Sequence, residues 1–104
     1  MREGWGLTAD EKSVNENGYY RMYASDGSYK VFEIDGETME VVRTIRVKDK
    51  GGKAIKQVNE LEFIDGFIYA NVWYKDILLK IDPADGKVVK EWDLTQLMQT
   101  DRAF

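Results

Sequence analysis

Hydrophobic and polar residues alternate over short stretches along most of this chain. In the segment NELEFIDGFIYANVW, residues 59–73, two such stretches flank the dipeptide Asp65-Gly66. Asp-Gly supplies the two positive φ angles that a type I′ hairpin turn requires. The segment is therefore predicted to form a β-hairpin.

A longer pattern occurs twice in the chain. The pair Tyr-Ala at residues 23–24 returns at residues 69–70, a spacing of 46 residues. Ile-Asp, five residues, Val-Val and a cation then follow in both copies at a spacing of 47 residues. Strands of the second copy are predicted at residues 59–64, 67–73, 77–82 and 87–94. Four antiparallel strands repeated at this spacing are typical of a β-propeller blade.

The predicted fold is all-β: two four-stranded antiparallel blades of an incomplete β-propeller in one domain, residues 1–104. Blade one covers about residues 4–48, with an inserted loop at 11–18 (EKSVNENG), and blade two covers about residues 57–95. Propellers close with about 4 to 8 blades. The chain is therefore expected to be a fragment whose remaining blades are missing, and a two-blade unit that assembles into a ring is the alternative.

Composition narrows the function classes. A formal net charge of −4 with scattered Lys and Arg gives no basic surface, so nucleic acid is not an expected partner. The chain has no His and no Cys, which removes the usual ligands of a catalytic zinc, and neither a metal nor a cofactor is expected. No apolar run approaches the roughly 18 residues of a membrane helix, so no membrane partner is expected.

Three residues are predicted to meet at one mouth of the propeller channel. The first strand of a blade starts at the end of the sheet where the second strand finishes, which brings Asn59 and Trp73 together. Trp5 precedes Leu7 as Asn59 precedes Leu61, so Trp5 holds the equivalent place in blade one. Two indoles and an amide around a concave opening are typical of a small-molecule site. Packing of the indoles between blades, with Asn59 bonded to a turn backbone, is the alternative interpretation.

Other residues near this site have less specific roles. Trp92 matches Ile45 in the repeat and is predicted to pack in the core between blades. For Glu60 and Glu62, the sequence does not separate a position facing the channel from a contact with a neighbouring strand.

The motifs EGWGLTAD, NELEFIDGFIYANVW and IDPADGKVVKEWDL, in this order, resemble the plant and bacterial type of glutaminyl-peptide cyclotransferase, a five-bladed propeller enzyme. The resemblance covers nearly the whole chain except EKSVNENG, where that family has a shorter turn. It implies conversion of the N-terminal glutamine of a peptide or protein into pyroglutamate with release of ammonia, without a catalytic metal. It also implies an aromatic pocket wall from Trp5 and Trp73, and a catalytic hydrogen bond from Asn59 to the substrate amide.

The same resemblance implies groups that this sequence does not match. They are a proton-shuttling glutamate in an earlier blade and, in a later blade, an Asn-Gly-Ile-Ala segment and a lysine. The 104 residues alone are therefore expected to be inactive. A non-catalytic propeller module that binds a peptide or protein at the same rim is the alternative function. The compartment is left open, with a secretory, extracellular or periplasmic location implied by the resemblance alone.

Overall fold

The computed structural model describes residues 6–56, 58–72 and 75–95, and these residues form an all-β structure. The strands are β1 (Gly6–Asp10), β2 (Arg21–Ser25), β3 (Lys30–Asp35), β4 (Val41–Arg46), β5 (Val58–Ile64), β6 (Phe67–Val72), β7 (Ile77–Ile81) and β8 (Val88–Asp93). Strands β1 to β4 form one antiparallel sheet in sequence order, which we call blade one, and β5 to β8 form a second, blade two. The predicted fold class is confirmed.

The turn between β5 and β6 lies where the pattern predicts it. Asp65 and Gly66, between β5 and β6, have φ angles of 50° and 86°, the positive values of the predicted turn. Every predicted strand end in blade two lies within one residue of the observed end. The strand register shifts between Glu33 and Ile34 in blade one and between Lys80 and Ile81 in blade two. The two copies of the repeat therefore share the position of this shift in strand pairing.

The segment between β1 and β2 is a surface loop. It begins with one turn of 3-10 helix, Glu11–Ser13, and every residue from 11 to 18 except Ser13 is exposed. The Ser13 hydroxyl donates to the Asp10 carbonyl at 2.6 Å and accepts the Arg21 backbone N–H at 2.8 Å. These bonds tie both ends of the loop to the first two strands.

The main hydrophobic core lies between the two blades. Its buried members are Tyr23, Val31, Ile45, Val47, Val58, Leu61, Ile68, Ala70, Val72, Leu79, Ile81 and Val88. The ring of Tyr23, a buried core member, stacks on the partly buried ring of Phe63, with centroids 5.2 Å apart and planes inclined by 9°. Removal of this apolar surface from water is the main force that holds the blades together.

Burial in this core also affects the ionisation of Tyr23. Desolvation raises the pKa of its phenol, while a hydrogen bond with the Arg21 side chain acts in the opposite direction. The folded state therefore favours the neutral phenol.

The outer strand of blade one makes polar contacts with the turn between β7 and β8 of blade two. The Arg43 guanidinium on β4 donates to the carbonyl oxygens of Pro83 at 2.6 Å and Ala84 at 3.1 Å. Beside them, a Cβ atom at Gly86 would lie 2.1 Å from the Arg46 carbonyl oxygen. The contact between the blades thus extends from the first strands to the turn between β7 and β8.

Candidate functional site

Of the three predicted site residues, the structure describes Asn59. Trp5 and Trp73 lie outside the described residues. Asn59 is the second residue of β5 and is only 7% exposed. Burial of a polar amide costs free energy unless the group is hydrogen-bonded, so apolar packing alone gives no reason for an asparagine at this position.

A β-bulge holds Asn59 out of the regular ladder. On β5 two residues, Asn59 and Glu60, lie opposite a single residue of β6, Asn71. A bulge bends its strand and changes the direction of side chains, and bulges are over-represented next to active sites. Strand alternation gave no signal for this irregularity, and the sequence prediction missed it.

Two residues of blade one contact the backbone of the bulge. The Ser25 hydroxyl, fully buried at the end of β2, donates to the Asn59 carbonyl oxygen at 2.7 Å. Gly6 is paired with Ser25 across β1 and β2. A Cβ atom at Gly6 would lie 2.6 Å from the same carbonyl oxygen and 3.0 Å from the Glu60 Cα. The backbone of blade one therefore approaches the bulge at a distance that leaves no room for a side chain.

The residues next in sequence to the two tryptophans also lie near Asn59. Gly6, whose backbone lies against Asn59, follows Trp5 in the chain. Val72, which precedes Trp73, pairs with Val58, the residue before Asn59. The convergence of the two indoles on Asn59 stays a prediction.

Ser25 was not singled out by the sequence prediction, although the repeat contained a signal. In each copy of the repeat the residue after Tyr-Ala is polar, Ser25 in blade one and Asn71 in blade two. A polar residue at the same place in two equivalent strands, next to a predicted site, was the signal that could have identified Ser25 as a candidate.

The face of blade two that points away from blade one carries polar groups beside the bulge. Glu60 and Glu62 are exposed there, and with Tyr69, Asn71 and Leu78 they line a shallow groove. The Asn71 Oδ1 atom is buried and has no hydrogen-bond partner. This groove offers carboxylate and amide groups close to Asn59.

Trp92 lies on this same far face of blade two. Its ring stacks on Tyr69 with centroids 6.2 Å apart, and the Lys90 ammonium lies 4.9 Å from its centroid. Trp92 is half-exposed and does not belong to the core between the two described blades.

The described residues contain neither a metal-binding cluster nor a membrane-spanning helix. In residues 6–56, 58–72 and 75–95, His, Cys, Asp and Glu side chains form no group of three or more that could hold a metal ion. The same part of the chain contains no helix with the length and hydropathy needed to cross a membrane.

Two four-stranded antiparallel sheets, packed face to face with their first strands in contact, define this chain as part of a β-propeller. Its sequence places it in a particular family. A model of the glutamine cyclotransferase family matches residues 1–103, and the chain belongs to that family.

Two similar proteins support this membership. The chain is 34% identical over 89 residues to a glutaminyl-peptide cyclotransferase of Arabidopsis thaliana, which covers 86% of the chain and 25% of that protein. It also matches the crystal structure of Myxococcus xanthus glutaminyl cyclase with a TM-score of 0.83 and 32% identity, covering 99% of this chain and 40% of that one. The chain therefore spans a quarter of the curated relative's length.

Proposed function

We propose that these residues form two blades of a glutaminyl-peptide cyclotransferase, an enzyme that converts an N-terminal glutamine into pyroglutamate and releases ammonia. Family membership supports the reaction. The observation that carries the role of this part of the chain is Asn59, a buried amide on a bulge that blade one contacts through Ser25.

The chemistry indicates what the site must supply. The free α-amine of the glutamine attacks the carbon of its own side-chain amide, and a new C–N bond forms while the amide oxygen becomes an oxyanion. The oxyanion then collapses, the bond to the former amide nitrogen breaks, and this nitrogen leaves as ammonia with the proton given up by the amine. The catalyst must therefore hold the side chain folded back, stabilise the oxyanion and transfer one proton.

In this proposal Asn59 donates a side-chain N–H to the developing oxyanion. A neutral donor held in a buried place is effective because it needs no reorganisation as charge develops. Trp5 and Trp73 form the apolar wall that keeps the glutamine folded and excludes water. The partner is a peptide or protein substrate with an N-terminal glutamine.

The proton-transfer group and a cation are assigned to blades outside these 104 residues. The far face of blade two is the surface on which a further blade would pack, since Tyr69 and Trp92 are only half-buried there. We expect the 104 residues alone to show no turnover because positioning without an acid-base group gives little rate.

The test is release of ammonia from a peptide that begins with glutamine, by the longest natural protein that contains these blades. Asn59→Ala and Asn59→Asp are each expected to lower kcat by about 100- to 1,000-fold, the cost of one lost oxyanion donor. Asn17→Ala, in the exposed inserted loop, is the control and should keep the wild-type rate.

A peptide with an acetylated N-terminal glutamine should not react, since its nitrogen is no longer a nucleophile. Binding of the free peptide without any ammonia would reject the cyclisation and support a peptide-binding module. Full activity of Asn59→Ala would reject the role of Asn59 while leaving the reaction in place.

A further inference from the structure

Asn59 lies on blade two, but blade one determines where its backbone lies. The bond from the buried Ser25 hydroxyl to the Asn59 carbonyl, 2.7 Å long, crosses from one sheet to the other and joins residues 34 positions apart. Because a bulge disrupts the local ladder, this hydroxyl supplies a partner to a carbonyl at the irregular point of β5.

A second contact limits the movement of the same carbonyl. Gly6 lies against it so closely that even a methyl group would be 2.6 Å from the oxygen. Ser25 and Gly6 face each other across β1 and β2. The carbonyl of Asn59 is therefore held by a hydrogen bond and by backbone contact from one pair of residues, which we call the Gly6–Ser25 clamp.

We propose that the Gly6–Ser25 clamp fixes the direction of the Asn59 side-chain amide, so that Ser25 is a positioning residue for the reaction. The carbonyl and the Cβ atom of Asn59 are attached to neighbouring backbone atoms, and holding the carbonyl restricts rotation of the peptide plane beside the Cα. The same clamp contains Gly6, the residue after Trp5, so it also fixes the spacing between the start of β1 and β5. This inference rests on the proposed function.

The size of the effect follows from the sensitivity of a catalytic donor to position. A displacement of about 1 Å costs about 100-fold in rate when a catalytic geometry is lost. Without the Ser25 hydroxyl, the Asn59 carbonyl loses this hydrogen bond and keeps the contact with Gly6. Ser25 touches the backbone of Asn59 and not the reacting atoms, so it acts through Asn59.

The kinetic test compares Ser25→Ala with Thr8→Val in the longest natural protein that contains these blades. Thr8 accepts the Phe63 N–H at 3.1 Å, so each substitution removes one hydroxyl that bonds blade one to β5, and only Ser25 contacts Asn59. Ser25→Ala should lower kcat by about 10- to 100-fold with little change in KM, because the donor acts in the transition state. Thr8→Val should keep kcat within about twofold of wild type.

A double substitution separates positioning from general loss of structure. If Ser25 acts through Asn59, adding Ser25→Ala to Asn59→Ala should lower kcat no further, since coupled residues are not additive. Independent, multiplying losses would overturn the proposal, as would equal losses of kcat in Ser25→Ala and Thr8→Val.

A third measurement needs no activity. In the same longest natural protein, Ser25→Ala should shift and broaden the NMR signals of the Asn59 side-chain NH₂ group, while Thr8→Val should leave them in place. Unchanged Asn59 signals in Ser25→Ala would overturn the proposal whatever the kinetics. Changed signals together with no turnover by the wild-type protein would support the clamp and reject the proposed function.

Discussion

Blade one and blade two place equivalent residues in different surroundings. Tyr23 and Tyr69 match in the repeat, yet Tyr23 is 1% exposed and Tyr69 is half-buried. Tyr23 stacks on Phe63 of the other blade, whereas Tyr69 stacks on Trp92 of its own sheet. The reason is that blade two covers the face that carries Tyr23. Burial at a repeat position is thus decided by the neighbouring blade and not by the residue type.

The polar pair Ser25 and Asn71 shows the same difference. Ser25 is fully buried and donates to Asn59. Asn71, at the equivalent place, has a buried side-chain oxygen without a partner. The same repeat position therefore provides a hydrogen bond between the blades in blade one. In blade two it holds an acceptor without a partner.

The turns before the last strands also differ, but here the buried residue is the one in blade two. Met39 and Gly86 are equivalent, and both have positive φ, 62° and 79°. Met39 is 61% exposed, while Gly86 lies against the Arg46 carbonyl of blade one. A side chain is tolerated where the turn faces solvent, and only glycine fits where the turn meets the other blade.

The largest difference between the blades is expected at the two tyrosines. Tyr23→Ala should lower the free energy of unfolding of the 104-residue chain by about 3–5 kcal/mol, the usual cost of removing a buried aromatic ring. Tyr69→Ala should cost about half of that or less, because part of its ring is already in water. Urea denaturation measures both values, and equal losses would contradict the asymmetry.

The next largest difference in stability is expected at Gly86 and Met39, in the turns before the last strands. Gly86→Ala should cost about 2–4 kcal/mol, since it adds both a left-handed strain and a clash with backbone. Met39→Gly should change stability by no more than about 1 kcal/mol, because relief of strain is offset by a more flexible unfolded chain. Thermal unfolding of both variants measures these changes in stability. A small loss of stability in Gly86→Ala would mean that the blades can move apart at this turn.

Smaller effects, opposite in sign to each other, are expected at the polar pair Ser25 and Asn71. Asn71→Leu should raise the free energy of unfolding by about 1 kcal/mol, because it removes an unsatisfied buried acceptor without changing the size of the side chain greatly. Ser25→Ala should lower it by about 1–3 kcal/mol by leaving the Asn59 carbonyl unpaired. A loss of stability in Asn71→Leu, measured by the same denaturation, would show that its amide has a partner in solution.

The smallest expected effect is a change in the free energy of unfolding at alkaline pH. The pKa of Tyr23 is raised, chiefly by burial, so its contribution to stability is fully present below the unfolded value of about 10. This contribution is lost as pH rises from about 10 through the higher folded value, because the unfolded state releases the proton first. Tyr23→Phe keeps the stacked ring and should make stability fall less steeply above about pH 10. Parallel slopes for wild type and variant would contradict this.

Much of the local structure could be predicted from the sequence. Alternation over LEFI and FIYANV, with Asp65-Gly66 between them, predicts the hairpin because side chains in strands have a period of two and this dipeptide accepts positive φ. The spacing of the repeat predicts two equivalent sheets, and the motifs predict the family that the comparisons confirm.

The bulge, the Gly6–Ser25 clamp and the unsatisfied Asn71 were not predicted. The clamp depends on how one sheet lies on the other, while the bulge and the buried Asn71 oxygen depend on how the strands of blade two pair and pack. None of these features leaves a periodic signal in the sequence. The sequence by itself determined the strands, the turns and the family, because these follow from local sterics and from motifs. Only the tertiary structure decided which face of each blade is covered, because burial and hydrogen bonding depend on the neighbour that packing brings close.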